Sequence, residues 1–180
     1  MKPLISVIIP AYNAQKYIRQ AVESVIQQTT DADIEVLVID DGSTDSTKEI
    51  VFEIQEECRS RKMDHREICY CPNEKNMGVA ESRNNGIRKA GGAYIAFLDA
   101  DDWWETDKIE KQLQALEASN AALCATAREL VRADGKPLNR IIEIPECIQY
   151  RALLKTNCIP CSSSFFSIWF LSALPLSRLT

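Results

Sequence analysis

Residues 4 to 26, LISVIIPAYNAQKYIRQAVESVI, decide how the rest of the chain is read. Leu4 to Ile9 is an apolar and β-branched run, with Ser6 its one polar member, stopped by Pro10, as expected of a strand covered on both faces. Asn13 is placed to cap a helix in which Tyr17, Ile18, Ala21, Val22, Val25 and Ile26 recur with helical spacing. A buried strand followed at once by an amphipathic helix opens an α/β unit, and the later segments keep the alternation. Ile34 to Ile39 reads as a second strand, and Ser43, Thr44 or Asp45 can cap a second helix that turns Ile50, Val51, Ile54 and Cys58 inward. Ile68 to Cys71 is a shorter third strand, and Val79 to Ala90 a third helix ended by Gly91-Gly92. Tyr94 to Leu98 is a fourth strand, ahead of a helix striped by Ile109, Leu113 and Leu116.

The expected fold is therefore α/β: a Rossmann-like, mostly parallel sheet wound by right-handed crossovers, with helices on both faces. Beyond residue 120, Ala122 to Thr126 reads as a further strand. Asp134-Gly135 reads as the turn of a small antiparallel hairpin between Glu129–Val131 and Arg140–Ile144, in the C-terminal third. Ligands of such sheets sit at the carboxyl ends of the strands. Pro10-Ala11-Tyr12-Asn13, Asp40-Asp41-Gly42-Ser43 and Asp99-Ala100-Asp101-Asp102 should accordingly share one rim. Carboxylates gathered this closely repel one another, so a positive group is expected among them. Asp99 and Asp101, on alternate residues at a strand end, are hard oxygen ligands suited to Mn2+ or Mg2+, with coordination positions left for phosphate. The competing reading is a solvated turn in which Asp102 and Glu105 only cap the next helix.

Bulk properties exclude several other classes. The chain has 180 residues, 46% of them hydrophobic, which is enough for one domain with a developed core. With 21 basic against 26 acidic residues the net charge is −5, so no cationic field attracts nucleic acid. The apolar N-terminus has no small-residue cleavage site, which makes the cytoplasm the expected compartment. Seven cysteines, an odd number, suit reduced thiols, although Cys69/Cys71 and Cys158/Cys161 together are a candidate four-thiolate zinc site. His65 lies in a charged stretch and reads as a surface side chain. A calcium-binding loop starting at Asp99 needs Asp or Asn at position 103 and Gly at 104, where this chain has Trp103 and Trp104. Neither a Gly-x-Gly-x-x-Gly turn nor a Walker phosphate loop is present. A phosphohydrolase of the haloacid dehalogenase type, with Asp99 as nucleophile, wants Thr or Val where Trp103 stands.

SVIIPAYNAQKYIRQAVESVIQQT, then VLVIDDGSTDST, then NMGVAESRNNGIRKAGGAYIAFLDADD, in this order and at similar spacing, resemble the nucleotide-sugar-binding part of the family 2 inverting glycosyltransferases, which have a GT-A type fold. The resemblance is close over the first 105 residues and loose beyond them. It implies one transferase domain over residues 1–180, with 1–105 binding the nucleotide sugar and 106–180 beginning the acceptor side, incomplete at the C-terminus. The activity implied is metal-dependent transfer, with inversion, from a UDP- or GDP-sugar to an unknown sugar or lipid-linked acceptor in surface polysaccharide synthesis. By the same resemblance Pro10, Ala11 and Tyr12 meet the base, and Asp41, with Asp40 beside it, accepts a hydrogen bond from base or ribose. Asn76, Gly78 and Arg83 lie near the nucleotide; the other reading of Arg83 is a surface ion pair with Glu81 or Glu74. Asp99 and Ala100 border the ribose, and Asp101, with Asp99 at hand, holds Mn2+ or Mg2+. Trp103 and Trp104 either floor the sugar pocket or anchor packing.

The resemblance also implies a carboxylate general base after the Asp-x-Asp loop. From Cys147 to Thr180 there is no Asp or Glu, and neither Glu143 nor Glu146 aligns with that base. A nucleotide-sugar-binding module without transfer activity is therefore the alternative function. IPCSSSFF resembles the family's strand after the hairpin region. The apolar run FFSIWFLSALPL is shorter than the roughly 20 residues a spanning helix requires, so no membrane span is expected. Exposed, it would favour self-association. A peripheral place at the inner face of the membrane follows from the resemblance alone.

Overall fold

The computed structural model describes residues 4–119, 121–132, 135–144 and 159–168. Strands β1 (Leu4–Ala11), β2 (Asp33–Asp40), β3 (Arg66–Pro72) and β4 (Tyr94–Phe97) alternate with helices α1 (Ile18–Ile26), α2 (Thr47–Ser60) and α3 (Val79–Lys89). Helix α4 (Lys108–Ser119) leads to β5 (Leu123–Ala125), β6 (Arg128–Val131), β7 (Pro137–Ile142) and, after a 3-10 turn at Cys161–Ser163, β8 (Ser164–Ser167). The main sheet has the order β3-β2-β1-β4-β8-β5, and β6 with β7 forms a separate two-stranded sheet.

The largely apolar runs of β1 and β2 are explained by burial of both faces. Ile5, Val7, Ile9, Ile34, Val36 and Val38 share one core with α1, α2 and α4, whereas Ile8, Leu37, Ile39, Ile95 and Phe97 pack on the α3 side with Ile87. On that second side α3 approaches β1 so closely that a Cβ on Gly86 would lie 2.3 Å from Ile8 Cγ2. The α2 stripe is as expected, with Val51, Ile54 and Cys58 buried and Ile50 packed against them.

Three local expectations need correction. First, β1 does not stop at Pro10: it runs on through Ala11, which pairs with Asp40. The backbone of Ile8 faces β4, since its carbonyl accepts the Leu98 N–H, and that of Ala11 faces β2 through the Asp41 N–H. By alternation Pro10 points to the β4 side, beyond the last β1–β4 pair at Ile8 and Phe97, so its missing N–H removes no bond to β2. Second, Asn13 does not cap α1; it has φ 49° and spends its side chain on Thr44. Third, Tyr17 precedes the helix and is 41% exposed, not turned inward. The sheet is mostly parallel, as expected: β3, β2, β1 and β4 run parallel, and β8 enters antiparallel between β4 and β5.

The hairpin is present, with Arg128 opposite Ile142 and Leu130 opposite Arg140, then a register shift to Val131 opposite Pro137. Gly135 takes φ 79° in its turn, and Asp134 lies outside the described residues. Residues 169–180, which hold most of the apolar run, also lie outside them, as do Glu146, Cys147 and Cys158. Among the described residues no helix is long and apolar enough to cross a membrane.

Candidate functional site

Where β1, β2 and β4 end, a cleft of about 430 Å3 opens. The end of β1 and the loop after it contribute Pro10, Ala11, Tyr12, Asn13, Ala14 and Tyr17, and the turn after β2 contributes Asp41. From α3 come Val79, Ser82 and Arg83, and from the loop after β4 come Asp99, Ala100 and Asp101. The three strand-end clusters expected to share a rim therefore do so. The loops after β1 and β2 are stapled to each other: Asn13 N–H donates to Ser43 Oγ at 2.9 Å, Ala14 N–H to Thr47 Oγ1 at 2.9 Å, and Gln15 N–H to Asp45 Oδ2 at 3.0 Å. Asp45 also accepts the Thr47 N–H at 3.0 Å, so it serves the start of α2 as well. These bonds hold the wall that carries Tyr12, itself 56% exposed to the cleft and solvent.

The two neighbouring acids at the end of β2 have different jobs. Asp40 is buried and does not line the cleft; its carboxylate accepts the Ser43 N–H at 2.9 Å and the Tyr70 hydroxyl. That hydroxyl is held well above its ordinary range by burial and by Asp40, so it stays a donor. Asp41, one step on in the pleat, turns to the α3 side. Its Oδ1 accepts Asn73 Nδ2 at 2.7 Å and the Met77 N–H at 2.8 Å, and its Oδ2 accepts the Gly78 N–H at 2.7 Å. Burial opposes its charge, yet these bonds and the Ser82 hydroxyl hold its carboxyl below the usual carboxylate range. Gly78, at φ 84°, can aim its N–H this way without strain. Asn76 is exposed and does not line the cleft.

The acidic loop after β4 sorts its three carboxylates. Asp99 Oδ1 receives Arg83 Nη2 at 2.5 Å, an ion pair on the cleft wall. Arg83 is thus in the site and not paired with Glu81, which binds Arg88 at 2.7 Å instead. Among the described residues, Arg83 Nε is a buried polar atom without a partner. Asp102 Oδ2 accepts the Ser162 hydroxyl at 2.6 Å; surrounding protein, with Asp99 and Asp101 adding to it, pushes its carboxyl up. Asp101 lines the cleft, and no carboxylate contact ties it to another described residue. Trp104 is a packing anchor: it is 6% exposed and its Nε1 donates to the Ser162 carbonyl at 2.7 Å.

Sequence reasoning missed Tyr17, Val79 and Ser82. Tyr17 fits the helical stripe and so reads as core, while Val79 and Ser82 carry no signal of their own; only the packing of α3 beside β1 brings them in. The zinc reading finds no support among the described residues, where no group of three His, Cys, Asp or Glu could hold a metal. Burial pushes the Cys69 thiol up to about 11 and the Cys71 thiol upward as well, which disfavours thiolate ligands. His65 is an exposed partner of Asp33 at 3.0 Å.

The family profile described as Glycosyl transferase family 2 matches residues 6–172. The chain belongs to that family. A Bacillus subtilis protein named as the teichuronic acid biosynthesis glycosyltransferase TuaG is 40% identical over 161 residues, which are 89% of this chain and 60% of that protein. The Escherichia coli UDP-Glc:alpha-D-GlcNAc-diphosphoundecaprenol beta-1,3-glucosyltransferase WfaP is 36% identical over 160 residues, 89% of this chain and 59% of WfaP. The chain thus spans about three fifths of the length of these curated relatives. In fold it is similar to residues 1–349 of Staphylococcus aureus TarS in complex with UDP, with a TM-score of 0.73 and 24% identity over 100% of this chain and 52% of that one. A mannosyltransferase of Pyrobaculum calidifontis, in complex with GDP-Man and Mn2+, gives a TM-score of 0.70 at 19% identity, covering 98% of this chain and 48% of the other.

Proposed function

We propose that the cleft binds the nucleoside diphosphate of a sugar donor and that the chain carries the donor half of a metal-dependent inverting glycosyltransferase. The observation that carries this is the convergence of Tyr12, Asp41, Arg83 and Asp101 on one cleft at the strand ends. Tyr12 offers an exposed ring face for the base. Asp41 already meets three N–H donors and the Ser82 hydroxyl. A hydroxyl rotates readily, so a base N–H would take the place of Ser82 at the carboxylate. Arg83 brings positive charge, and its pairing with Asp99 holds it against the wall.

The donor set fits a divalent cation. Asp101 supplies a hard oxygen that no other described residue engages, and Asp99 lies within the same loop, as suits Mg2+ or Mn2+ held by one or two carboxylates together with phosphate oxygens. Bound there, the cation would stabilise negative charge on the leaving nucleoside diphosphate. Family membership, the UDP-glucose named in a relative's description and the Mn2+ named in a fold neighbour's support the same reading. The lipid-linked acceptor named for that relative supports polysaccharide assembly as the setting and a diphospholipid-linked sugar as the acceptor class. A second reading is donor binding without transfer, since neither Glu143 nor Glu146 aligns with the family's general base.

Calorimetric titration with UDP, GDP and their sugars, with manganese and then with chelator, tests the proposal. Asp101→Ala is expected to remove the manganese-dependent part of UDP binding and leave the circular dichroism spectrum unchanged. UDP affinity indifferent to both the substitution and the chelator would refute the metal assignment. Donor hydrolysis and transfer assays separate the transferase from the binding module.

A further inference from the structure

Among the described residues, one of the three acids in the Asp99–Asp102 loop faces the cleft uncommitted, and the group that arranges this comes from sixty residues later in the sequence. The single hydroxyl of Ser162 does two things at once: it accepts the Asp99 N–H at 3.0 Å and donates to Asp102 Oδ2 at 2.6 Å. The Asp102 N–H closes the turn on the Asp99 carbonyl at 3.0 Å. The Ser162 carbonyl takes Trp104 Nε1 at 2.7 Å, so residue 162 grips the acidic loop at both ends. Ser162 is itself fixed, because antiparallel pairing of β8 with β4, Ala96 opposite Phe165, brings the 3-10 turn to the mouth of the cleft. The next carbonyl, that of Ser163, is held by Gln112 Nε2 at 2.9 Å and by the Thr126 N–H at 3.3 Å.

We propose that Ser162 is a positioning residue of the donor site: its hydroxyl, bridging the Asp99 N–H and the Asp102 carboxylate, sets the turn that presents Asp101 to the cation. Ser162 touches neither donor nor metal and acts through the backbone of the loop. The inference rests on the donor-and-metal reading given above. Without the hydroxyl, the Asp102 carboxylate loses its tether, the Asp99 N–H loses its acceptor, and Asp101 is presented over a range of positions.

The test uses the 180-residue chain. Manganese affinity in the presence of UDP is read from the electron paramagnetic resonance signal of free Mn2+, and UDP affinity in chelator from calorimetry. Ser162→Ala is expected to weaken manganese binding about tenfold, the scale of one hydrogen bond to a charged group, while metal-free UDP affinity stays put. Ser162→Thr, which keeps a hydroxyl, is expected to restore it. Asp102→Asn keeps an oxygen for that hydroxyl and should hold manganese near the wild-type affinity; a loss as large as that of Asp101→Ala would make Asp102 a ligand and overturn the assignment. Equal manganese affinity in Ser162→Ala and wild type, or a parallel fall in metal-free UDP binding, would overturn it too, with the donor reading left standing. A wild-type chain that binds UDP without regard to manganese refutes the metal reading, and the positioning role with it.

Discussion

Asp41→Asn is the substitution whose effect can be worked out most fully. The carboxylate takes Asn73 Nδ2 and the Met77 N–H on one oxygen, at 2.7 and 2.8 Å, and the Gly78 N–H on the other at 2.7 Å. An amide has one oxygen, so it can keep the first pair or the last bond, and its NH2 must then face an N–H donor. Leaving a buried donor unmet costs about 1–3 kcal/mol, and turning the remaining charge-assisted bonds into neutral ones removes about 1 kcal/mol more, for a total of roughly 3 kcal/mol. That is a large share of the roughly 5–15 kcal/mol that holds a domain together. Urea unfolding at pH 7, followed by circular dichroism, measures it directly. The pH dependence supplies an independent check. Because the folded-state carboxyl sits below its ordinary value, its stabilisation is complete above about pH 4 and is lost as pH falls through that lower value. The gap between wild type and Asp41→Asn should therefore narrow in acid. A difference under about 0.5 kcal/mol at pH 7, the scale of an ordinary surface substitution, or a gap indifferent to acid, would refute the role given to Asp41.

Gly86→Ala should destabilise the protein by about 1–3 kcal/mol even though alanine favours helix, because the added Cβ lands 2.3 Å from a fully buried Ile8 side chain. Thermal unfolding checks this, and a higher midpoint for the variant would contradict the packing described. Burial pushes the Lys108 ammonium down to about 7, while its position over the Trp104 ring, 4.0 Å away, works in the opposite direction. Between pH 7 and 9 the unfolded chain keeps this proton and the folded one sheds it, so wild-type stability should rise relative to Lys108→Met by roughly 1–3 kcal/mol. Parallel unfolding series at the two pH values would show a constant difference if the amine were charged throughout.

The strands were legible where burial leaves a mark in composition. Ile34 to Ile39 is apolar apart from Glu35 because the sheet is covered on both sides, and α2 is legible because its buried apolar residues, Val51, Ile54 and Cys58, form one stripe. Pro10 misleads because the consequence of its missing N–H depends on which neighbour that residue faces, a property of pairing and not of the residue. For the same reason the antiparallel entry of β8 was hidden: periodicity reports exposure and carries no strand direction. In the cleft, the types of residue were legible and their division of labour was not. Asp40 and Asp41 are equal in the sequence, and the pleat sends one to Tyr70 and the other to α3. Arg83 offered two nearby surface partners, Glu81 and Glu74, and took a third, Asp99, that only folding brings near.

The contact between the Asp99 N–H and Ser162 spans 63 residues of chain. At synthesis rates of roughly 5–20 residues per second, the acidic loop waits roughly 3 to 13 seconds after leaving the ribosome before the serine that shapes it emerges in turn. During that interval the first four strands can already pair, but the nascent sheet has an open β4 edge, available to any extended segment that arrives first. The late strand therefore closes that edge against misassembly in the same step that finishes the cleft, and translation speed between these two points is a variable that folding yield should follow.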